Sequence, residues 1–430
     1  MDGQSLPTAA SVPASKISAR HAIVAATIGN GLEWYNFTLY GFFAAIIGRS
    51  FFPTGNALSS LLLSLATFGV GFFVRPVGGV LLGIYSDRVG RKAALSLTIM
   101  LMCIGTAVIA CVPSYQTIGP AAPILIVLAR MLQGLSTGGE MGNATAFMKE
   151  YASARHRAYD LSWVYASSGI FIAFGVGVAS LSSWIFGAAV LDAWGWRVPF
   201  VLGLIIGPVG WYIRARLPDP PKALQTNDIQ GSPLREVLAR YPTQTLATGA
   251  LIVLSTVCTY VIHVYTPIYA VRTLKLAASA GFLATTVGNV LTACLTPVGG
   301  WLADRFGVRT VMRCSAMLML VLAYPLFAVV THAPALWSLL LYQIVFSIVA
   351  AGYHGPILAA IDDLFPGRSL ATGLALADNI AVAVFGGSAA FIITALIAWT
   401  GSPMVPAFYL MVGAAIGFAG TLAKPLRLTR

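Results

Sequence analysis

The stretch GNGLEWYNFTLY, residues 29–40, puts a carboxylate inside an apolar run that extends from about residue 22 to residue 48. This run has the length and apolarity of a membrane-spanning helix. At ~1.5 Å per residue, Glu33 lies about 18 Å from the start of the run, near the bilayer centre. A carboxylate at that depth needs an ionic partner, a wet cavity or a proton. Four residues follow a helical spacing and share one helix face: Gly29, Glu33, Asn36 and Tyr40. We interpret this stripe as part of a transport or proton-handling site, with helix packing as the alternative.

The composition places the whole chain in a membrane. Its 430 residues are 58% hydrophobic and only 9% charged, whereas soluble domains carry about 25% charged residues. The five cysteines form no CxxC pair and mostly lie in apolar runs, so we expect packing residues and no metal site. The GLSTG sequence at residues 134–138 has the spacing of a hydrolase motif but lies within a spanning run, with no strand before it. We therefore expect no enzyme.

Apolar runs of spanning length recur twelve times and predict an all-α integral membrane protein. Several runs exceed the ~20 residues of a straight crossing, which indicates tilted or bent helices. The approximate runs are 21–48, 57–85, 93–112, 120–147, 159–183, 198–217, 243–271, 278–302, 310–331, 335–361, 369–398 and 403–424.

The distribution of basic residues predicts the orientation. Of the 26 Lys and Arg residues, 20 fall on the side that carries both chain ends, four fall on the other side, and Arg75 and Arg130 lie inside spans. By the positive-inside rule, the N-terminal tail (1–20) and the C-terminal tail (425–430) are cytoplasmic. The net charge of +12 is thus mostly topological and indicates no nucleic-acid partner.

A repeated motif divides the chain in two. GIYSDRVGRK at residues 83–92 follows the second run, and GWLADRFGVR at residues 300–309 follows the eighth. Corresponding motifs in two halves are typical of duplicated transporters. The polar connection 218–242 therefore separates a six-helix bundle at 21–217 from a second at 243–424.

These motifs resemble those of the major facilitator superfamily, and narrower ones resemble its metabolite:proton symporter family. The family-like motifs are residues 29–37, RPVGG at 75–79, RMLQGLSTGGE at 130–140 and WGWRVPF at 194–200. Three shorter sequences are similar to bacterial citrate–proton symporters: SYQTIG at 114–119, VYTP at 264–267 and AVFGG at 383–387. The resemblance implies two pseudo-symmetric six-helix bundles, the major facilitator fold, in a bacterial inner membrane.

The resemblance also implies an activity: proton-coupled symport of citrate or a related tri- or dicarboxylate by alternating access. The expected partners are a small anionic metabolite, the proton and the lipid bilayer, with no other cofactor and a monomeric carrier. Alternatives are symport of a zwitterionic osmolyte such as betaine or proline, symport of shikimate or 2-oxoglutarate, and a uniporter or channel-like facilitator. One departure matters, because Asn36 stands where the family pattern has a second acid.

Three residues are candidates for proton coupling: Glu33, Arg130 and Asp378. Proton-coupled sugar carriers of the superfamily pair an acid of the first span with an arginine of the fourth. Arg130 therefore either pairs with Glu33 or binds the substrate carboxylate. We interpret Arg75 as a structural bridge rather than a ligand, and Asp378 as a group that titrates or pairs with His354.

Polar residues within the predicted spans form the candidate substrate site. They are Asn36, Tyr40, Arg130, Gln133, Tyr260, His263, Asn289, Tyr353, His354 and Asn379. Charged residues near the predicted cytoplasmic ends form a candidate gate. They are Asp87, Arg88, Arg91, Glu140, Glu150, Arg157, Asp304 and Arg305.

The gate hypothesis predicts that Asp87→Asn impairs turnover more than equilibrium substrate binding, because it changes the balance between open states. Initial uptake rates and equilibrium binding, measured on the same purified variant, check this. Unchanged transport kinetics would remove the role of Asp87.

Overall fold

The computed structural model describes residues 31, 33–89, 91–138, 141, 145, 148–149, 152–153, 155–215 and 233–423. Within these ranges the chain is helical apart from turns and short connections, and it contains no strand. The predicted all-helical class is confirmed.

In the described part of the chain, we number the twelve helices that correspond to the predicted runs α1 to α12 and leave the short helices Tyr115–Ile118, Gly195–Arg197 and Pro233–Arg240 unnumbered. Helix α1 comprises the helical residues 33–42 and Ala44–Phe51. The other helices of the first half are α2 (Ala57–Val89), α3 (Arg91–Cys111), α4 (Ala121–Thr137), α5 (Arg157–Ala193) and α6 (Val198–Ala215). In the second half, α7 comprises Pro242–Val257, a π-helix at Cys258–Val264, and Thr266–Arg272. It is followed by α8 (Ala278–Phe306), α9 (Val308–His332), and α10 (Leu336–His354, continued by Ile357–Asp362). Helix α11 comprises Gly367–Val382, a π-helix at Ala383–Gly387, and Ala389–Thr400, and α12 is Val405–Gly420.

The helices have the dimensions that a bilayer requires. In the described part of the chain, seven segments are long and apolar enough to cross a membrane. Four shorter apolar helices are also present, at Ser96–Cys111, Ala121–Thr137, Gly195–Ile205 and Val405–Gly420. Within the described ranges, each of the twelve predicted runs overlaps one of the numbered helices.

Two predicted boundaries are wrong. The fifth run was expected to end near residue 183. Helical residues extend to Ala193, but Gly187 has a non-helical backbone (φ 63°, ψ 172°) that kinks α5 and divides it into two helical pieces. The second and eighth runs were expected to end near residues 85 and 302, but α2 runs to Val89 and α8 to Phe306, so both helices continue into the repeated motifs. Asp87 and Asp304 therefore lie in the last turns of helices.

The contacts between helices show the duplication directly. In the first half α2 packs on α4, α3 on α4, and α3 on α6. In the second half α8 packs on α10, α9 on α10, and α9 on α12. Adding six to each helix number converts one set into the other. The halves meet through α5 against α8 and through α2 against α11. The repeat relates these two contacts, because α5 corresponds to α11 and α2 corresponds to α8.

Helix α7 bends where Pro267 interrupts its hydrogen bonding. The preceding turn is a π-helix, with the Tyr265 amide bonded to the Tyr260 carbonyl at 2.8 Å. Pro267 has no N–H to donate to that turn. The Ile262 carbonyl accepts instead from Gln343 Nε2 and Thr266 Oγ1, each at 2.7 Å. Gln343 of α10, fully buried, thus ties α10 to the bend in α7.

Gln343→Leu should lower the free energy of unfolding by about 1–3 kcal/mol, because it removes a donor from a buried carbonyl. Thermal unfolding of the purified protein in detergent checks this. Gln116→Leu, at an exposed position in the short helix Tyr115–Ile118, is the control. Equal unfolding temperatures for the two variants would contradict the assignment.

Candidate functional site

Three charged side chains from three helices meet between the halves, and we call them the charge cluster. Glu33 comes from α1, Arg75 from α2 and Asp378 from α11. Arg75 Nη2 lies 3.3 Å from Asp378 Oδ2 and 3.8 Å from Glu33 Oε1. The three side chains are only 6–7% exposed. A single guanidinium therefore joins a carboxylate of each half, away from water.

A small cavity opens onto the charge cluster. Apart from Glu33, Arg75 and Asp378, its lining consists of Trp34, Met141, Tyr165, Ser255, Thr256, Thr259 and Val382. These residues come from both halves, so the cavity lies at their interface. Its walls offer one cation, two carboxylates, hydroxyl groups and two aromatic rings. Within the described ranges, no three His, Cys, Asp or Glu side chains gather as metal ligands would.

Arg130 occupies a different environment from the one we predicted. It is fully buried, and its guanidinium lies 4.4, 4.7 and 5.1 Å from the ring centres of Phe37, Tyr40 and Phe68. It donates to Gln133 Oε1 at 2.7 Å and to the Phe68 carbonyl at 3.2 Å. An ion pair between Glu33 and Arg130 was one of the two alternatives for Arg130; the structure pairs Glu33 with Arg75.

Asn36 belongs to the surroundings of Arg130 rather than to the cavity lining. Thr106 Oγ1 lies 3.1 Å from Asn36 Oδ1 and accepts from Gln133 Nε2 at 3.0 Å. Gln133 in turn accepts from Arg130. The expected substrate residues Asn36, Gln133 and Arg130 are thus linked by hydrogen bonds within the first half. Tyr40 closes this group by stacking on Phe68 at 6.0 Å.

Two of the expected residues of the second half contact the first half beside the cavity. The Tyr260 ring lies 5.4 Å from Phe72 and 6.1 Å from Trp34. The His354 ring stacks on Tyr165 at 5.2 Å, and His354 Nε2 lies 3.2 Å from the Ser255 carbonyl. The alternative in which Asp378 pairs with His354 is therefore wrong, because Asp378 pairs with Arg75.

The other expected residues of the second half are held by neighbouring backbone or hydroxyl groups. Tyr353 donates to the Leu251 carbonyl at 3.1 Å and so joins α10 to α7. Asn289 donates to the Thr285 carbonyl at 2.9 Å, and His263 Nε2 lies 3.2 Å from Thr292 Oγ1. Asn379 crosses between the halves, since its Nδ2 donates to the Gly138 carbonyl at 2.6 Å.

Most of the cavity lining was not predicted from the sequence. Trp34 follows Glu33 directly in the same motif and was not among the expected site residues. Ser255, Thr256 and Thr259 stand at helical spacing in a mostly apolar span. These three hydroxyl side chains were the available sequence signal for the cavity wall. Arg75 was assigned a structural role, but it lies at the centre of the site.

Ion pairs join the halves at a second place, which we call the latch. Asp362, at the end of α10, lies 2.5 Å from Lys149 Nζ and 3.2 Å from Arg157 Nη1. Arg157 Nη2 also lies 2.6 Å from Asp363 Oδ1. Arg157 begins α5, so the latch connects the first half to α10 on the side that we predict to be cytoplasmic.

Asp304 strengthens the same face. Its two carboxylate oxygens accept from the backbone amides of Ala158 and Tyr159 at 2.9 and 3.0 Å. A carboxylate at the start of a helix is stabilised by unpaired amides and the helix dipole. Gly300 permits the approach, since a Cβ there would lie 2.7 Å from the Ala158 carbonyl oxygen.

Among the remaining expected gate residues, Arg305 has a described side chain. Arg305 is exposed and lies over the rings of Trp301 and Phe306, on its own helix. The side chains of Asp87, Arg88 and Arg91 lie outside the described part of the structure. The expected gate residues Glu140 and Glu150 also lie outside it.

Comparison with known proteins gives relatives along the whole chain. The citrate–proton symporter of Salmonella typhi is 36% identical over 412 residues, covering 95% of this chain and 94% of that protein. The corresponding protein of Klebsiella pneumoniae is 34% identical over 403 residues, covering 93% and 90%. The proline/betaine transporter of Escherichia coli K12 is 34% identical over 414 residues, covering 93% and 82%.

Solved structures confirm the fold. A crystal structure of a D-xylose–proton symporter superposes with a TM-score of 0.73 at 19% identity, covering 93% of this chain and 97% of that one. The xylose transporter XylE of E. coli, in a partially occluded inward-open conformation, gives 0.70 at 17% identity, covering 94% and 96%. At this identity the likeness shows the fold alone.

Residues 21–245 match the family model of the sugar (and other) transporters. Together with the full-length relatives and the fold, this match confirms the resemblance inferred from the motifs. The chain belongs to the sugar (and other) transporter family, and with it to the major facilitator superfamily.

Proposed function

We propose that this protein is a proton-coupled symporter of a small carboxylate that works by alternating access. The observation that carries the proposal is the charge cluster. Two acids of opposite halves share one guanidinium beside a cavity, in a place where an unpaired charge costs several kcal/mol. Such a group changes its charge when it gains a proton, and it contacts both of the bodies that must move.

The balance of charge favours an anionic substrate moving with protons. Glu33 and Asp378 carry two negative charges, which Arg75 and Arg130 together offset when both acids are ionised. Adding one proton leaves an excess positive charge in a medium of low dielectric constant, where electrostatic attraction is strong. A carboxylate entering the cavity removes that excess. Proton and carboxylate thus stabilise one another in the site.

The relatives support a substrate class. Two full-length relatives are citrate–proton symporters, and we propose citrate or a related tri- or dicarboxylate for this chain. A zwitterion is the second candidate, because relatives of similar identity are proline/betaine transporters. The Trp34 and Tyr165 rings and the two acids of the cavity could hold a quaternary ammonium while Arg75 holds the carboxylate.

We further propose that the carrier is a multi-pass protein of a bacterial inner membrane with both termini in the cytoplasm. The Lys and Arg distribution supports this orientation. The latch then closes the cytoplasmic side, and its ion pairs must break for the cavity to open to the cytoplasm.

Uptake into proteoliposomes tests the proposal. Purified carrier is reconstituted with a pH gradient, acidic outside, and offered radiolabelled citrate, succinate, shikimate, 2-oxoglutarate, proline and glycine betaine in turn. We expect accumulation of a carboxylate that collapses when a protonophore removes the gradient. Uptake restricted to betaine or proline would select the zwitterion alternative. Accumulation that survives the protonophore would contradict proton coupling.

Glu33→Gln should abolish accumulation while leaving exchange of substrate down its gradient, because glutamine keeps the shape of the side chain but cannot take a proton. The steady-state ratio of internal to external substrate should fall close to unity. Asp192→Asn is the matched control, since Asp192 forms an exposed ion pair with Arg49. A Glu33→Gln carrier that still concentrates substrate with normal proton uptake would show that Glu33 is a packing residue.

Asp362→Asn should open the latch face, because Asp362 supplies the carboxylate for both Lys149 and Arg157. The reporter is a cysteine introduced at Met141, in the cavity lining, with the five native cysteines replaced. We expect a membrane-impermeant thiol reagent on the cytoplasmic side to label it several times faster.

The control for this experiment is Asp160→Asn. Asp160 accepts from the Ser153 amide at 2.8 Å, a contact confined to the first half. Labelling at the same rate in both variants would remove the latch from the mechanism.

A further inference from the structure

We propose that Arg75 is the ligand of the substrate carboxylate, and that the substrate takes the place of Asp378 on its guanidinium. The displaced Asp378 takes up a proton from solvent. The inference rests on the proposed function and adds to it the exchange by which substrate and proton are coupled.

Two carboxylates compete for Arg75. Its Nη2 serves both Asp378, at 3.3 Å, and Glu33, at 3.8 Å, and the charge cluster carries a net negative charge when both acids are ionised. A third carboxylate, from the substrate, would add to that charge at close range. It can bind Arg75 stably only if one of the resident acids becomes neutral.

Arg75, rather than Arg130, is the guanidinium placed to bind a substrate carboxylate. Of the two arginines that are buried in the described part of the first half, Arg130 is enclosed by three aromatic rings and bonded to Gln133 and the Phe68 carbonyl. Arg75 lines the cavity. Its planar fork of donors matches a carboxylate, and its Nη2 already donates to Asp378 Oδ2.

Asp378, rather than Glu33, is the acid that the substrate displaces from Arg75. Asp378 is the closer of the two partners and belongs to the half that does not contain Arg75. Asn36, which occupies the other acid position in α1, cannot ionise and contacts Thr106. Loss of the bond between Arg75 and Asp378 removes an ionic contact between α2 and α11. Substrate binding thereby breaks an ionic contact between the halves at the cavity, which links occupancy to their relative motion.

The groups that face Asp378 are consistent with this exchange. Arg75 of α2 and Glu33 of α1 provide the charges around it, and Tyr165 of α5 lines the same cavity. The Tyr260 ring of α7 lies beside Trp34 and Phe72. The His354 ring of α10 stacks on Tyr165, and its Nε2 lies 3.2 Å from the Ser255 carbonyl. Protonation of Asp378 breaks the ion pair with Arg75, the substrate carboxylate forms a new one, and release of substrate and proton restores the first.

Equilibrium binding of radiolabelled citrate to the purified carrier tests the exchange, with glycine betaine as the second probe. In the native protein, affinity should rise as pH falls, because protonation of Asp378 frees Arg75. Asp378→Asn removes the competitor without changing the side-chain shape. It should tighten binding severalfold at neutral pH. Over the same series of pH values, its affinity should vary less with pH than that of the native protein. It should also lower the number of protons moved per substrate.

Arg75→Lys supplies the second variant. It keeps the positive charge but loses the planar fork, so binding should weaken by about tenfold or more. Asp192→Asn, which disrupts only an exposed ion pair, should bind as the native protein does. A purely structural bridge would behave differently, because Asp378→Asn would then weaken binding and stability together and leave the pH dependence unchanged.

The outcomes separate the two proposals. If native carrier accumulates citrate or betaine with protons while Asp378→Asn leaves affinity and pH dependence unaltered, the exchange is overturned and the proposed function stands. If native carrier binds and transports neither probe nor any other carboxylate of the uptake panel, both are overturned.

Discussion

The pairing of buried charges across the two halves is the constraint on which the rest of the structure depends. In a membrane interior, every charge needs a partner of opposite sign or a proton, since water is not at hand to solvate it. Arg75 satisfies this requirement for a carboxylate of each half at once. Because one cation is shared by two acids, the arrangement is stable enough to hold the halves together and still responds to a proton or a further anion.

The second buried arginine shows how the protein avoids the same responsiveness elsewhere. Arg130 is surrounded by aromatic faces and by neutral acceptors. Asn36, Thr106 and Gln133 extend this neutral network without adding a charge that could titrate. The result is a fixed positive charge behind the cavity wall. It biases the region towards anions, whereas the charge cluster supplies the part that changes.

The duplicated fold distributes inter-half contacts between two related pairs of helices. Helix α2 meets α11 at the charge cluster, and α5 meets α8 where Asp304 caps α5 and the latch lies alongside. The first contact is buried and sensitive to what occupies the cavity. The second lies at the ends of helices and is partly exposed, where ion pairs are individually weak. Weak contacts of that kind suit a face that must open and close in each transport cycle.

The sequence by itself determined the membrane class, the twelve helices and the duplication, because each depends on patterns of apolar length and repeat that hold whatever the tertiary packing. It also identified Glu33 and Asp378 as unusual, since a carboxylate in an apolar run is costly wherever the helix lies. The motif resemblance then placed the chain in its superfamily. What the sequence could not determine was the choice of partners.

Arg75 and Arg130 lie on neighbouring helices, and spacing along the chain cannot tell which of them meets Glu33. That choice depends on the rotation of α2 and α4 about their axes, which packing decides. In the same way, Asp378 and Arg75 are 303 residues apart and meet only because α2 and α11 come together between the halves. The tertiary structure therefore decided the composition of the charge cluster, and it decided that Asn36 belongs to the neutral network around Arg130.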